Sequence, residues 1–330
     1  MMRTTTLTTS DDRAVWTLAT PNTGAGAIAL VQLTGDIDHA LELCGIRPVA
    51  VGAVVVRDLL GVDTGVVARW TPRSCQLMPH GGMAVVRQLA AALAACGLHE
   101  AARASAVDLF PEARSRVEAL ALEAVSRAAS PLAIDLLLDQ HRRWLLPGAA
   151  SDPALDKVRN RLIDPPLVVA LGPPNIGKST LVNALAGRTV SIVADVPGTT
   201  RDHVGVVLDL GGLVVRYVDT PGIRPEAGPM EAEVFSAALR VARSADLLLL
   251  CGDVTSHLPD THVVFGGNTP APILRLALRT DLGTPAFEVD CQTSALLGDG
   301  LPSLVALLRE ALVPAAALAN PAPWRFWTGP

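Results

Sequence analysis

Lysine is almost missing from this sequence: 25 arginines carry the positive charge, and Lys157 and Lys178 are the only lysines. Aromatic residues are scarce too, at 3%, with a single tyrosine. No apolar run reaches the roughly 18 residues of a membrane-spanning helix, because Arg87, Arg127, Arg243 and their neighbours interrupt every candidate. A secretory leader is not expected, since Met1 to Arg13 is polar and threonine-rich with no apolar centre. The five cysteines, Cys44, Cys75, Cys96, Cys251 and Cys291, include no C-x-x-C pair. That spacing speaks against a zinc site or a disulfide framework and reads as reduced thiols, packed as small hydrophobes, in a cytoplasmic protein. A net charge of -5 argues against coating nucleic acid by charge alone.

What remains is 330 residues, half of them hydrophobic, enough for two or three packed cores. Up to about residue 100, short β-rich runs (27–33, 49–56 and 65–70) surround one apolar helical stretch, 83–96, as in a small α+β domain. Residues 101–163 carry Ala, Leu, Arg and Glu at helical spacing over 115–129 and 132–146, which predicts a helical connector. Asp164-Pro165-Pro166 closes it, because tandem prolines cannot continue a helix. From Leu167 the order becomes strand, glycine-rich turn, helix, strand, the signature of a mostly parallel sheet flanked by helices. Strands are expected at 167–171, 204–210, 213–218, 246–251, 272–278 and 286–290, and helices at 178–186, 230–244 and 301–312. Residues 314–330 show no helical period, so an irregular tail, loose or draped over a neighbour, is expected.

The chemistry concentrates in this second half. Gly172-Pro173-Pro174-Asn175-Ile176-Gly177-Lys178-Ser179 matches G-x-x-x-x-G-K-[ST] between a strand and a helix that opens at Thr180. Glycines let backbone N–H groups wrap phosphates, the helix offers its positive end, Lys178 adds a point charge, and Ser179 offers a hydroxyl to magnesium. Asp219-Thr220-Pro221-Gly222 follows an apolar strand, which sets the Asp219 carboxylate beside the phosphates as a second magnesium ligand and the Gly222 amide near a γ-phosphate. Between them lies a switch loop, 190–202, in which Thr200 is the candidate to complete the magnesium shell. Asp281 stands where a guanine-reading Asp is expected after the strand at 273–278, with Arg279 in the Lys position of N-K-x-D and Leu278 in the Asn position. Arginine can still cover a base plane, but leucine cannot hydrogen-bond one, which keeps an ATPase, or a nucleotide-binding scaffold with little turnover, open beside a GTPase. Ser294 and Ala295 follow a further strand, where a backbone amide would meet the guanine oxygen.

Taken together, G-P-P-N-I-G-K-S-T-L-V-N-A-L-A-G, A-D-V-P-G-T-T-R-D and D-T-P-G-I-R resemble the TrmE-Era-like GTPases, and among them the branch that modifies tRNA. The resemblance implies a P-loop GTPase domain at 164–313, of α/β class, preceded by a folate-binding-like α+β domain at 1–100 and the connector. It implies GTP and magnesium as ligands. It also implies a potassium ion held by Asn175 with Gly198 and Thr199 around it, and Glu231 to orient the attacking water. Lys178 and Gly222 would stabilise the transferring phosphoryl group. As partners the resemblance allows tRNA, a tRNA-modifying flavoprotein, and a second copy joined through the N-terminal domain. The sequence departs from that family where Gln32 and Pro72 replace an Arg and a Glu, which weakens the case for tetrahydrofolate. It also shows no counterpart of the family's second helical portion or C-terminal cysteine motif, so hydrolysis is the better-supported inheritance and the modification chemistry the weaker.

Overall fold

The computed structural model describes residues 13–20, 26–101, 105–187, 205–222 and 229–327, with 229–235 described by their backbone. The chain divides into two compact units, residues 1–123 and 124–330.

The first unit contains β1 (Val15–Leu18), β2 (Val31–Thr34), α1 (Ile37–Leu43), β3 (Val54–Leu59), β4 (Asp63–Thr71), β5 (Ser74–Met78), α2 (Met83–Ala95), β6 (His99–Glu100), α3 (Ala106–Leu109) and the start of α4 (Arg116–Arg127). The six strands form one sheet in the order β3-β4-β5-β2-β1-β6, antiparallel except for β1 with β6. Helix α2 buries Val86, Leu89 and Leu93, the i, i+3, i+7 stripe of an amphipathic helix. Leu89 and Leu93 join Leu33, Ile37, Leu41 and Leu77 in a single core. The second strand starts later than its apolar run, at Val31, with only an isolated bridge from Ile28 to His80 before it. Likewise β3 starts at Val54, because Gly52 turns the chain at φ +82°.

The second unit holds α5 (Ala133–Leu138), α6 (Gln140–Trp144), α7 (Pro153–Asn160), β7 (Leu167–Leu171), α8 (Lys178–Ala186), β8 (Gly205–Asp209), β9 (Val214–Asp219), α9 (Pro229–Arg243), β10 (Leu247–Gly252), α10 (Thr261–Phe265), β11 (Ile273–Ala277), β12 (Cys291–Gln292), α11 (Leu301–Leu312) and α12 (Ala315–Ala319). Its sheet runs β12-β11-β10-β7-β9-β8, parallel except for the β8–β9 hairpin. Every residue of β7 and of β10 is buried, as expected of central strands covered on both faces.

Three further elements differ from the sequence expectation. The helix expected over 132–146 breaks at Asp139, whose carboxylate is drawn to Arg142 and Arg143 at 2.7 Å each. No strand forms at 286–290; pairing begins at Cys291 opposite Leu276, since the Asp290 carboxylate has already taken the Arg275 amide, at 2.7 Å. The tail is less irregular than its composition: after α12 it packs against α6 and α7 through Trp324, which is fully buried. Its indole donates to Asn160 at 3.0 Å and its amide to Gln140 at 2.7 Å. The Arg159 guanidinium, also fully buried, donates to the carbonyls of Ala317, Asn320 and Ala322. Among the described residues no helix is long and apolar enough to cross a membrane.

Candidate phosphate and base site

Strand β7 delivers the chain to Gly172, where an added Cβ would lie 2.5 Å from the Cys251 carbonyl oxygen of β10. Only glycine lets the loop leave the sheet at that separation. The loop then passes through Asn175 at φ +63° and Gly177 at φ +98°, and α8 opens at Lys178. Left-handed backbone at these two positions turns successive amides inward, the arrangement that makes an anion-binding concavity. Ile176 is buried and anchors the loop from beneath.

The Lys178 side chain is buried and spans the loop, its ammonium donating to the carbonyls of Gly172 at 3.1 Å and Pro173 at 2.8 Å. Two of its three hydrogens are thereby committed, and one remains for a ligand oxygen. Burial holds its pKa below the ordinary lysine value, only partly offset by the Asp219 carboxylate. The next residue, Ser179, donates its hydroxyl to Asp219 at 2.5 Å. The second carboxylate oxygen of Asp219 is buried and, among the described residues, has no hydrogen-bond partner. A buried lone pair left open beside a serine hydroxyl fits a hard cation with its water shell. Among the described residues no cluster of three or more His, Cys, Asp or Glu accompanies it.

Thr220 is buried and donates to the Ala170 carbonyl at 2.7 Å, fixing the turn after β9. Two residues on, a Cβ at Gly222 would lie 2.3 Å from Pro174. The two loops are in backbone contact here. Lys178, Ser179, Thr180, Asn175, Asp219 and Gly222 all border one cleft of about 690 Å³. Gly198, Thr199 and Thr200 lie outside the described residues. Glu231 falls in the first turn of α9, where the description is of backbone alone.

The residues expected from the sequence to read a base come together at the adjacent strand ends. Asp281 accepts a hydrogen bond from Ser294 at 2.6 Å, and the Thr280 amide donates to the Thr293 carbonyl at 3.2 Å, so the two loops form one unit. Ala295 follows directly, half-buried. Leu278 is buried and meets β10 through its backbone amide, which donates to Gly252 at 2.8 Å. Its side chain thus serves the core and leaves no polar group at that position. Arg279, at φ +54°, reaches back over Gly177 to the Asn175 carbonyl at 3.3 Å and to the Asp253 carboxylate at 3.4 Å. Asp253 itself is buried and was not picked out from the sequence; an acid one residue past the all-apolar β10 was the available signal.

Residues 167–269 match the family model described as 50S ribosome-binding GTPase. The tRNA modification GTPase MnmE of Acidiphilium cryptum is 52% identical over 149 residues, 44% of this chain and 33% of that protein. MnmE of a Chelativorans species is 46% identical over 146 residues, 44% of this chain and 32% of that protein. The chain therefore spans about a third of the length of the curated relatives it matches. Among solved structures, Aquifex aeolicus Era bound to GDP and aluminium fluoride aligns at 26% identity, covering 44% of this chain and 56% of that one, with a TM-score of 0.35. The second unit carries the P-loop GTPase fold, and its phosphate loop lies within the matched segment.

Proposed function

We propose that the chain binds GTP with magnesium and hydrolyses it, with water attacking the γ-phosphorus in line with the leaving diphosphate. The observation that carries this reading is the Lys178 ammonium, pinned by two loop carbonyls beside the Ser179–Asp219 pair in one cleft. Binding need not reorganise these groups, and preorganised charge is the main source of catalysis in phosphoryl transfer. Lys178 steadies the charge that builds on the transferring group, and Ser179 with Asp219 would hold a magnesium ion, which would neutralise charge on the phosphates. The Gly222 amide, set against the phosphate loop, reports the presence of the γ-phosphate to the chain that follows it. Glu231 in α9 orients the attacking water.

Guanine is the preferred base in this reading because the Asp281 carboxylate is held ready by Ser294 to accept from a base carrying adjacent N–H donors. Adenine lacks that pair. The buried Leu278 removes one further contact, so selectivity for GTP over ATP is smaller than a full N-K-x-D would give. Potassium stimulation rests on the resemblance, which assigns an ion to Asn175 with Gly198 and Thr199; Asn175 borders the cleft in left-handed geometry. A role in tRNA modification rests on the names of the relatives, and tRNA or a flavoprotein as partner on the resemblance in the nucleotide-binding motifs alone. Phosphate release from GTP and from ATP, in potassium and in sodium, with Lys178→Ala as control, tests the proposal. Equal turnover of wild type and Lys178→Ala would refute it; tight GTP binding with no turnover in either salt would leave the scaffold reading.

A further inference from the structure

Among the described residues, the non-glycine residues in left-handed backbone are Leu60 at φ +58°, Asn175 at +63° and Arg279 at +54°. The last two are joined directly, since Arg279 Nη1 donates to the Asn175 carbonyl at 3.3 Å. Residues with a side chain stay in that region only where their surroundings hold them there. The same Nη1 donates to Asp253 Oδ2 at 3.4 Å, so one nitrogen ties the phosphate loop to the ends of β10 and β11. Asp253 is the fixed end of this tie. Its side chain is buried, its Oδ1 accepts from the Thr255 amide at 2.9 Å and hydroxyl at 2.8 Å, and its own amide donates to the Ser256 carbonyl at 2.9 Å. A buried carboxylate needs a cation, and among the described residues the one paired with it is Arg279. Arg279 is half-exposed, and the pairing takes up rotamer freedom that a long side chain otherwise keeps. Asp253 itself stands outside the residues that border the cleft.

Resting on the reading that this cleft binds a nucleotide, we propose that Asp253 is a positioning residue for the phosphates. Acting through Arg279, it holds the phosphate loop in the left-handed geometry at Asn175 that turns the loop amides inward. It sets the fraction of molecules whose loop is ready for a ligand. A loop that is ready a tenth of the time binds about tenfold more weakly. The loop grips phosphates and not the base, so loss of the tie weakens GDP and ADP by the same factor. Asp281, which faces the base, would shift one and spare the other.

The test titrates fluorescent GDP and ADP analogues into the full chain and into Asp253→Asn, Arg279→Met and the double substitution, each checked for its fold by circular dichroism. Asparagine keeps the shape of Asp253 and an acceptor for Thr255 without the charge. Methionine keeps a stem over Gly177 without the guanidinium. Each single variant should bind both analogues about tenfold more weakly, and the double variant no more weakly than either single one. A merely structural loss at two sites would multiply instead. Should Asp253→Asn fail to fold, Arg279→Met at its half-exposed position carries the test, with equal losses for GDP and ADP expected. Wild-type affinity in either single variant, unequal losses for the two bases, or losses that multiply in the double variant would overturn the proposal. A wild-type chain that binds neither analogue would overturn the nucleotide reading itself, and this proposal with it.

Discussion

Lys178 sits in a place that disfavours its own charge until a ligand arrives. Burial lowers its pKa in the free protein, and a triphosphate against the ammonium raises it. Nucleotide binding should therefore take up a proton in the pH window between the two values, and affinity should fall as pH rises through that window. Titration calorimetry in buffers of different ionisation enthalpy reads the uptake directly; Lys178→Ala should abolish both the uptake and most of the affinity. Asp281 gives a second prediction at this scale. Asp281→Ala removes a charged acceptor, costing about 1.5–3 kcal/mol of GDP affinity while leaving ADP affinity unchanged, as competition against a fluorescent analogue would show. The identities of both residues were legible from spacing alone. Their partners were not: the Gly172 and Pro173 carbonyls on Lys178, Ser294 on Asp281 and Asp253 on Arg279 are set by where separate loops meet.

At the scale of elements, the loop after β9 and the phosphate loop touch at Gly222 and Pro174, and there is no room for a side chain between them. Gly222→Ala should push the loops apart, lowering GTP turnover at least tenfold while GDP binding stays near wild type; stopped-flow nucleotide binding beside a phosphate-release assay separates the two effects. The tail offers a stability prediction. Trp324→Ala removes a fully buried indole from the face of α6 and α7, and large-to-small changes of this kind cost about 3–5 kcal/mol. Urea denaturation followed by near-ultraviolet circular dichroism should show the loss in the second unit. Helices α2, α8, α9 and α11 were legible because their apolar periods are long. The docking of the tail was not, since 3% aromatic residues carry no period and only the fold gathers Trp144, Trp324, Phe326 and Trp327 into one cluster.

For the molecule as a whole, each unit owns a hydrophobic core, one built around Leu33, Ile37 and Leu77 and the other around Val169, Val218 and Leu248. Unfolding should therefore proceed in two steps. GTP with magnesium at a hundredfold excess over its Kd should stabilise the second unit alone, by about 2.7 kcal/mol; calorimetric scans with and without nucleotide would resolve this, and a shift of both transitions would count against it. By itself the sequence determined the P-loop motif and the parallel α/β half, and named the candidate phosphate-binding residues, because those depend on local spacing and on backbone freedom at particular glycines. Only the tertiary structure decided that Leu278 is spent on the core and that Arg279 and Asp253 brace the phosphate loop. Those contacts join residues with no common period, and their formation depends on packing that no short window of sequence contains.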